Sequence, residues 1–114
     1  MKTVTYNKLV RDGIPEYLQG IGVESETKII PPEARLPHLL SKLVEESREA
    51  ARSKPAKLAH ELADVLDAME AIARLQGITW EQIVEEQKRI KEERGGFEKG
   101  VFLISTTEPD KPTK

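Results

Sequence analysis

Hydrophobic positions recur with helical spacing through most of the chain, and two stretches carry the clearest pattern. The first begins between Pro32 and Pro37 and runs to about Ser53. Its apolar positions are Leu36, Leu39, Leu40, Leu43, Val44, Ala50 and Ala51. The second runs from about Ala56 to Gln76 and stops at Gly77. Its stripe consists of Leu58, Leu62, Val65, Leu66, Met69, Ile72 and Ala73. The pattern therefore predicts two long amphipathic helices.

Start and stop signals predict two further helices. Asp12 to Pro15 supplies a capping residue and a proline before a short helix that runs toward Gln19. Thr79 to Gln82 matches a capping box, and the helix that it opens ends at Arg94. The short connections between the three later helices favour antiparallel neighbours. The predicted fold is mainly all-α, an antiparallel helical bundle.

Two segments have the character of strands rather than helices. Residues 23–30 alternate loosely, and residues 100–105 contain a run of strand-forming apolar side chains. We predict that they form a short two-stranded β-ribbon covered by the helices. Residues 106–114 contain two prolines and are predicted to be a flexible tail. The whole chain, residues 1–114, is predicted to be a single domain.

Composition narrows the function classes. The 114 residues include 18 Lys plus Arg, 20 Asp plus Glu and no Cys, so thiolate metal sites and thiol nucleophiles are excluded. A net charge of −2 gives no general attraction for a nucleic acid polymer or a membrane surface. No apolar stretch has the length of a membrane helix, and we expect a cytoplasmic protein. Because so short a chain has a modest core, we expect a homodimer or a higher homo-oligomer.

Two acidic pairs are the candidates for chemistry. Glu46 and Glu49 lie three residues apart on one predicted helix, and Glu61 and Asp64 do so on the next. If these helices pack antiparallel, the four carboxylates converge and suit Mg²⁺, with Mn²⁺ as a substitute. The alternative is an ordinary solvated face, with nearby lysines neutralising some of the carboxylates.

Basic residues follow the apolar stripe of the last predicted helix. Toward its end the stripe continues from Ile90 to Lys91 and Arg94. Together with Lys57, these two cations could bind the phosphates of a metal-bound nucleotide. In the alternative reading, Lys91 and Arg94 only complement the negative end of the helix dipole.

The spacing of the acidic residues resembles that of a known protein family. Two acidic blocks, separated by eleven residues, look like the signature of the MazG-like all-α nucleoside triphosphate pyrophosphohydrolases. The first block is Glu45-Glu46-x-x-Glu49, and the second is Glu61-x-x-Asp64. Two flanking blocks are similar to the small phosphoribosyl-ATP pyrophosphohydrolase-like branch. One runs from Tyr6 to Asp12 and continues with Ile14-Pro15-Glu16, and the other runs from Glu93 to Lys99. One departure is Gly13, where relatives of this branch commonly carry Lys.

The resemblance implies a role for each matching residue. The Mg²⁺ ligands would be Glu46, Glu49, Glu61 and Asp64, with Glu45 as a supporting or water-orienting carboxylate. Either Glu45 or Glu49 would accept the proton of the attacking water. The residues expected to bind substrate phosphates are Lys57, Lys91, Arg94, Lys8 and Arg11.

The implied reaction is metal-assisted hydrolysis between the α- and β-phosphates of a canonical or damaged (deoxy)nucleoside triphosphate, which gives the monophosphate and pyrophosphate. Two alternatives stay open. One is the phosphoribosyl-ATP pyrophosphohydrolase of histidine biosynthesis, which the same metal site could serve. The other is a non-catalytic helical assembly or regulatory module, in which the acidic cluster is structural.

Overall fold

The described part of the chain, residues 2–110 of the computed structural model, is mainly helical. The α-helices are α1 (Ile14–Gly20), α2 (Arg35–Arg52), α3 (Leu58–Leu75) and α4 (Trp80–Arg94). Single 3₁₀ turns, Pro32–Ala34 and Pro55–Lys57, lead into α2 and α3. Each of the four predicted helices is present, and the mainly all-α fold is confirmed.

Helices α2 and α3 form an antiparallel hairpin joined by residues 53–57. The Ser53 hydroxyl donates to the Ala50 carbonyl at 3.0 Å, and Pro55 opens the turn that follows. The buried apolar residues are Leu39 on α2 and two alanines, Ala68 and Ala73, on α3. Small side chains at a helix interface favour the close approach of two helix backbones.

Gly77 ends α3. Its φ of 68° lies in the left-handed region, which glycine adopts without the steric cost that a β-carbon brings. The Gly77 amide donates to the Arg74 carbonyl at 3.3 Å, and the Ile78 amide donates to the Ala73 carbonyl at 2.9 Å. These two bonds satisfy carbonyls that the helix leaves open, as predicted for a glycine at this position.

The chain divides into two compact units. The first extends to Trp80 and contains the N-terminal segment and the helices α1, α2 and α3. The second begins at Glu81 and contains nearly all of α4 and the extended C-terminal segment. The single domain over residues 1–114 stays a prediction.

The predicted β-ribbon is not confirmed. Within residues 2–110, neither 23–30 nor 100–105 forms a strand. Val101, Phe102, Leu103 and Ile104 are between 73% and 88% exposed, so nothing covers the apolar surface that a ribbon would have to bury. Of the predicted tail, residues 106–110 have no regular structure and are exposed, and residues 111–114 lie outside the described part.

The predicted apolar stripes are wider than the surfaces that the helices bury. On α2 and α3, the exposed apolar side chains include Leu40, Val44, Leu62, Leu66 and Met69. A two-helix hairpin can cover only one narrow strip of each helix, which explains the remainder. On α4, apolar side chains and the basic residues that follow them are likewise exposed, namely Trp80, Val84, Ile90, Lys91 and Arg94. Among the described residues, no helix has the length and apolar character needed to cross a bilayer.

Candidate metal centre

Three carboxylates from the α2–α3 hairpin converge at one place. Glu46 on α2 and Glu61 and Asp64 on α3 each offer one oxygen, and these three oxygens lie within 4.8 Å of one another. Glu46 is buried, while Glu61 and Asp64 are half-buried. The antiparallel packing brings them together because Glu46 and the Glu61/Asp64 pair stand at similar distances from the hairpin turn. The predicted convergence therefore occurs for three of the four proposed metal ligands.

Two oxygens of these carboxylates are buried and have no hydrogen-bond donor among residues 2–110. They are Oε2 of Glu46 and Oε2 of Glu61. The Glu46 side chain is only 10% exposed, and its nearest cation is the Lys42 ammonium, 3.2 Å from the other oxygen. Two carboxylates less than 5 Å apart repel by about 3 to 4 kcal/mol at an effective dielectric constant of about 20. Carboxylates that converge in this way, with buried oxygens that lack a donor, fit a divalent cation of hard character such as Mg²⁺ or Mn²⁺.

Glu49, the fourth proposed ligand, lies outside this group of three oxygens and is exposed. The pKa of the Glu49 carboxyl is raised, chiefly by the negative charge of Glu46 and then by partial desolvation and the charges of Glu45 and Glu61. Glu49 therefore interacts electrostatically with carboxylates of the cluster. Its roles as ligand and as base stay predictions.

Glu45 accepts hydrogen bonds from two lysines. The Lys8 ammonium lies 2.7 Å from its Oε1, and the Lys42 ammonium lies 3.4 Å from its Oε2. The bond from Lys8 is the main cause that lowers the pKa of Glu45 and, reciprocally, raises the pKa of Lys8. Asn7 has a φ of 47°, a left-handed conformation that asparagine tolerates better than most residues, immediately before Lys8. The N-terminal segment therefore reaches α2 through a residue of the predicted site.

The same segment reaches α3 through Arg11. Its guanidinium lies 2.5 Å from Oδ1 of Asp64 and 2.8 Å from Oδ2 of Asp67. These bonds, the one from Asp67 first, raise the pKa of Arg11. The other Asp64 oxygen lies 3.6 Å from Nε2 of His60, whose side chain is 77% exposed. Lys8 and Arg11, predicted to bind phosphate, thus contact site carboxylates, and their phosphate-binding role stays a prediction.

The other proposed phosphate-binding residues are all exposed. Lys57 lies in the first unit, at the end of the 3₁₀ turn that precedes α3. Lys91 and Arg94 lie in the second unit, in the last turn of α4. Their role in binding phosphate stays a prediction.

Sequence reasoning missed Asp67. Asp67 is exposed on α3, and its carboxylate holds the guanidinium that also contacts Asp64. The available signal was the three-residue spacing from Asp64, which places two carboxylates on one side of a helix for a bidentate partner. That partner comes from a segment more than fifty residues away, which spacing alone cannot identify.

Comparison with models of protein families, with curated proteins and with solved structures finds no match for this chain.

Proposed function

We propose that this protein is a Mg²⁺-dependent nucleoside triphosphate pyrophosphohydrolase that cleaves between the α- and β-phosphates, with Mn²⁺ as a substitute for Mg²⁺. The observation that carries the proposal is the partly buried carboxylate cluster, in which Glu46 and Glu61 each keep a buried oxygen for which residues 2–110 supply no donor. The sequence signature that contains these residues supports the choice of reaction and of substrate.

The donor set determines which cation the cluster would hold. Glu46, Glu61 and Asp64 would be its ligands, and all three supply hard oxygen atoms. Mg²⁺ prefers a few carboxylates and keeps the rest of its octahedral shell for water and phosphate oxygens. Bound Mg²⁺ would neutralise charge on the phosphates and orient the attacking water. Three protein ligands suit that task, because they leave positions open for substrate.

Glu49 is the better placed of the two candidate bases. Both oxygens of Glu45 are engaged by lysine ammonium groups. Glu49 has no such partner among residues 2–110, and the neighbouring negative charges make it more basic than an ordinary glutamate. We therefore assign the acceptance of a proton from water to Glu49, with Glu45 as a supporting carboxylate.

Cations are present to meet an anionic substrate in spite of the net charge of −2. Lys8 and Arg11 already lie against the carboxylates Glu45 and Asp64. Mg²⁺ bound by Asp64 would weaken the hold of that carboxylate on Arg11, whose planar fork suits phosphate oxygens. The substrate class that follows is a metal-bound polyphosphate, and we place this house-cleaning activity in the cytoplasm.

We further propose that two copies of the chain complete a MazG-like bundle. Leu62, Leu66 and Met69 form an exposed apolar line on α3, and Leu40 and Val44 are exposed on α2. Pairing of two hairpins through such surfaces would bury the apolar stripe that one hairpin leaves open. Sedimentation at several concentrations tests this, and a monomer throughout would contradict it.

The activity is tested by measuring pyrophosphate release from a panel of canonical and damaged nucleoside triphosphates and phosphoribosyl-ATP, with Mg²⁺ or with chelator. We expect release that requires the metal and is lost in folded Glu46→Gln and Asp64→Asn variants. Glu85→Gln is the matched control, since it removes a carboxylate from α4. Activity on phosphoribosyl-ATP alone would support the histidine-pathway alternative. No release from any substrate would overturn the proposal in favour of a non-catalytic module.

A further inference from the structure

The Arg11 guanidinium contacts two carboxylates that differ in their exposure to solvent. Arg11 contacts Asp64, a proposed metal ligand whose side chain is 20% exposed, and Asp67, whose side chain is 55% exposed. Asp67 lies one turn further along α3 and does not belong to the group of oxygens that could share a cation. Arg11 is thus held at the edge of the cluster by one residue inside it and one outside it.

The contact with Asp64 and metal binding compete. Oδ1 of Asp64 accepts from Arg11, while the proposed cation requires an oxygen of the same carboxylate. A divalent ion bound by Asp64 would draw on the negative charge that attracts the guanidinium and would so weaken the bond from Arg11 to Asp64. The bond to Asp67 is unaffected by this competition, since Asp67 is not a ligand.

A second link restrains the segment that carries Arg11. Lys8 contacts Glu45 on α2, three residues before Arg11 contacts α3. Leu9 and Val10, between them, are half-buried. These contacts would keep the backbone across the hairpin if the guanidinium exchanged one of its two partners.

We propose that Asp67 is a positioning residue, which retains Arg11 beside the metal centre after the metal takes Asp64 and so presents the freed side of the guanidinium to a substrate phosphate. The inference rests on the proposed function, because the phosphate is that of the metal-bound nucleotide. Asp67 itself touches neither metal nor substrate.

The inference predicts separate effects on substrate binding and turnover. An exposed ion pair adds little to stability, so Asp67→Asn should fold normally. We expect KM for the nucleotide to rise by about three- to fivefold, the equivalent of one exposed ion pair, while kcat stays within about twofold. Asp67→Glu should restore most of the loss, because its carboxylate can still accept from Arg11. Glu70→Gln, which removes a charge one turn further along α3, is the matched control and should leave KM unchanged.

A double-mutant cycle with Arg11→Ala identifies the partner. Arg11→Ala alone should raise KM by more than about tenfold, the expected loss of a charge-assisted phosphate contact. In that background, Asp67→Asn should have no further effect, because its only function is to hold Arg11. Additive effects, or an unchanged KM in the single Asp67→Asn variant, would overturn the inference.

A binding measurement separates this inference from the proposed function. With Mn²⁺ alone, Arg11→Ala should bind the ion more tightly than the parent, since a competitor for Asp64 is removed, and Asp67→Asn should bind it no more tightly. With Mn²⁺ and inorganic tripolyphosphate, both variants should bind tripolyphosphate more weakly than the parent. If the parent hydrolyses no nucleotide, the proposed function fails, yet these titrations still decide whether Asp67 positions Arg11. Equal tripolyphosphate affinity in the parent and in Asp67→Asn would refute the role.

Discussion

Two groups of acidic and basic side chains in this molecule have similar composition and opposite surroundings. On α4, Arg89 bridges Glu86, three residues before it, and Glu93, four residues after it, the latter at 2.9 Å. All three side chains are more than half exposed. Between α2 and α3, the carboxylates come from different helices, and two of their oxygens are buried with no donor from the described part of the chain.

The difference shows that acidic content alone does not mark a site. Each ion pair of the α4 group joins residues about one helical turn apart and in contact with water, so the group needs no further ligand. In the α2–α3 group, tertiary packing holds Glu46 and Glu61 together with their charges incompletely matched. Like charges held together in a partly buried position support the proposed metal site, and the α4 group lacks this feature.

The largest expected effect is on catalysis. Replacing Glu46 by Gln removes a buried ligand, so pyrophosphate release with saturating Mg²⁺ should fall by more than about 100-fold, beyond the range usual for residues that only support ligands. Glu86→Gln removes the same charge from α4 and should leave the rate within about twofold. Equal losses in the two variants would mean that general charge, and not the α2–α3 cluster, sustains activity.

The next effect is on thermal stability in the presence of metal. Mn²⁺ at about 100 times its Kd should stabilise the parent by about 2.7 kcal/mol, which raises Tm by roughly 10 °C for a chain of this size. Glu86→Gln should keep this increase, while Asp64→Asn should lose most of it. Calorimetry with and without Mn²⁺ measures the difference, and an increase that survives in Asp64→Asn would exclude the proposed ligand set.

In the absence of metal, removing a carboxylate from the cluster should stabilise the protein instead of destabilising it. Glu61→Gln removes one of three repelling charges, and its amide can donate to a neighbouring carboxylate oxygen. We therefore expect the chelated variant to be more stable than the chelated parent by about 1 kcal/mol. Urea unfolding with chelator measures this. Glu86→Gln breaks a favourable contact with Arg89 and should give no gain, so a similar gain in both variants would remove the distinction between the two groups.

The helical pattern was sufficient to predict the elements that build the centre. The apolar spacing gave α2 and α3 to within a few residues, and their short connection gave the antiparallel pairing that brings Glu46 to Glu61 and Asp64. These features are predictable because they depend on local periodicity and on the length of one loop.

Features that depend on distant contacts could not be predicted in the same way. The pairing of Arg11 with Asp64 and Asp67 joins segments far apart in the sequence, and no periodic pattern encodes it. Strand propensity at Val101 to Ile104 suggested a ribbon that the described residues do not form, because propensity matters only where packing can cover the strand. The apolar stripes likewise suggested more burial on α2 and α3 than the structure has, because burial too depends on what packs against each helix.

The smallest effect concerns pH and the contact between Lys8 and Glu45. The pKa of Glu45 is lowered below its usual 4.5, so the stabilisation is present above pH 4.5 and is lost as the pH falls through the lowered value. The pKa of Lys8 is raised above 10.5, so the same contact persists at neutral pH and disappears only as the pH rises through that raised value. Because the Lys8 side chain is 41% exposed, we expect only about 0.5 kcal/mol.

Unfolding of the parent and Lys8→Met between pH 3 and pH 9 measures this contribution. The difference in free energy of unfolding should be constant from about pH 5 to pH 9 and should shrink below pH 4.5. Lys88→Met, on exposed α4, should show little difference from the parent at any of these pH values. A Lys8→Met difference that persisted undiminished to pH 3 would show that Lys8 stabilises the hairpin by packing rather than by its charge. The contrast between a tertiary ion pair and the local pairs of α4 would then not extend to the N-terminal segment.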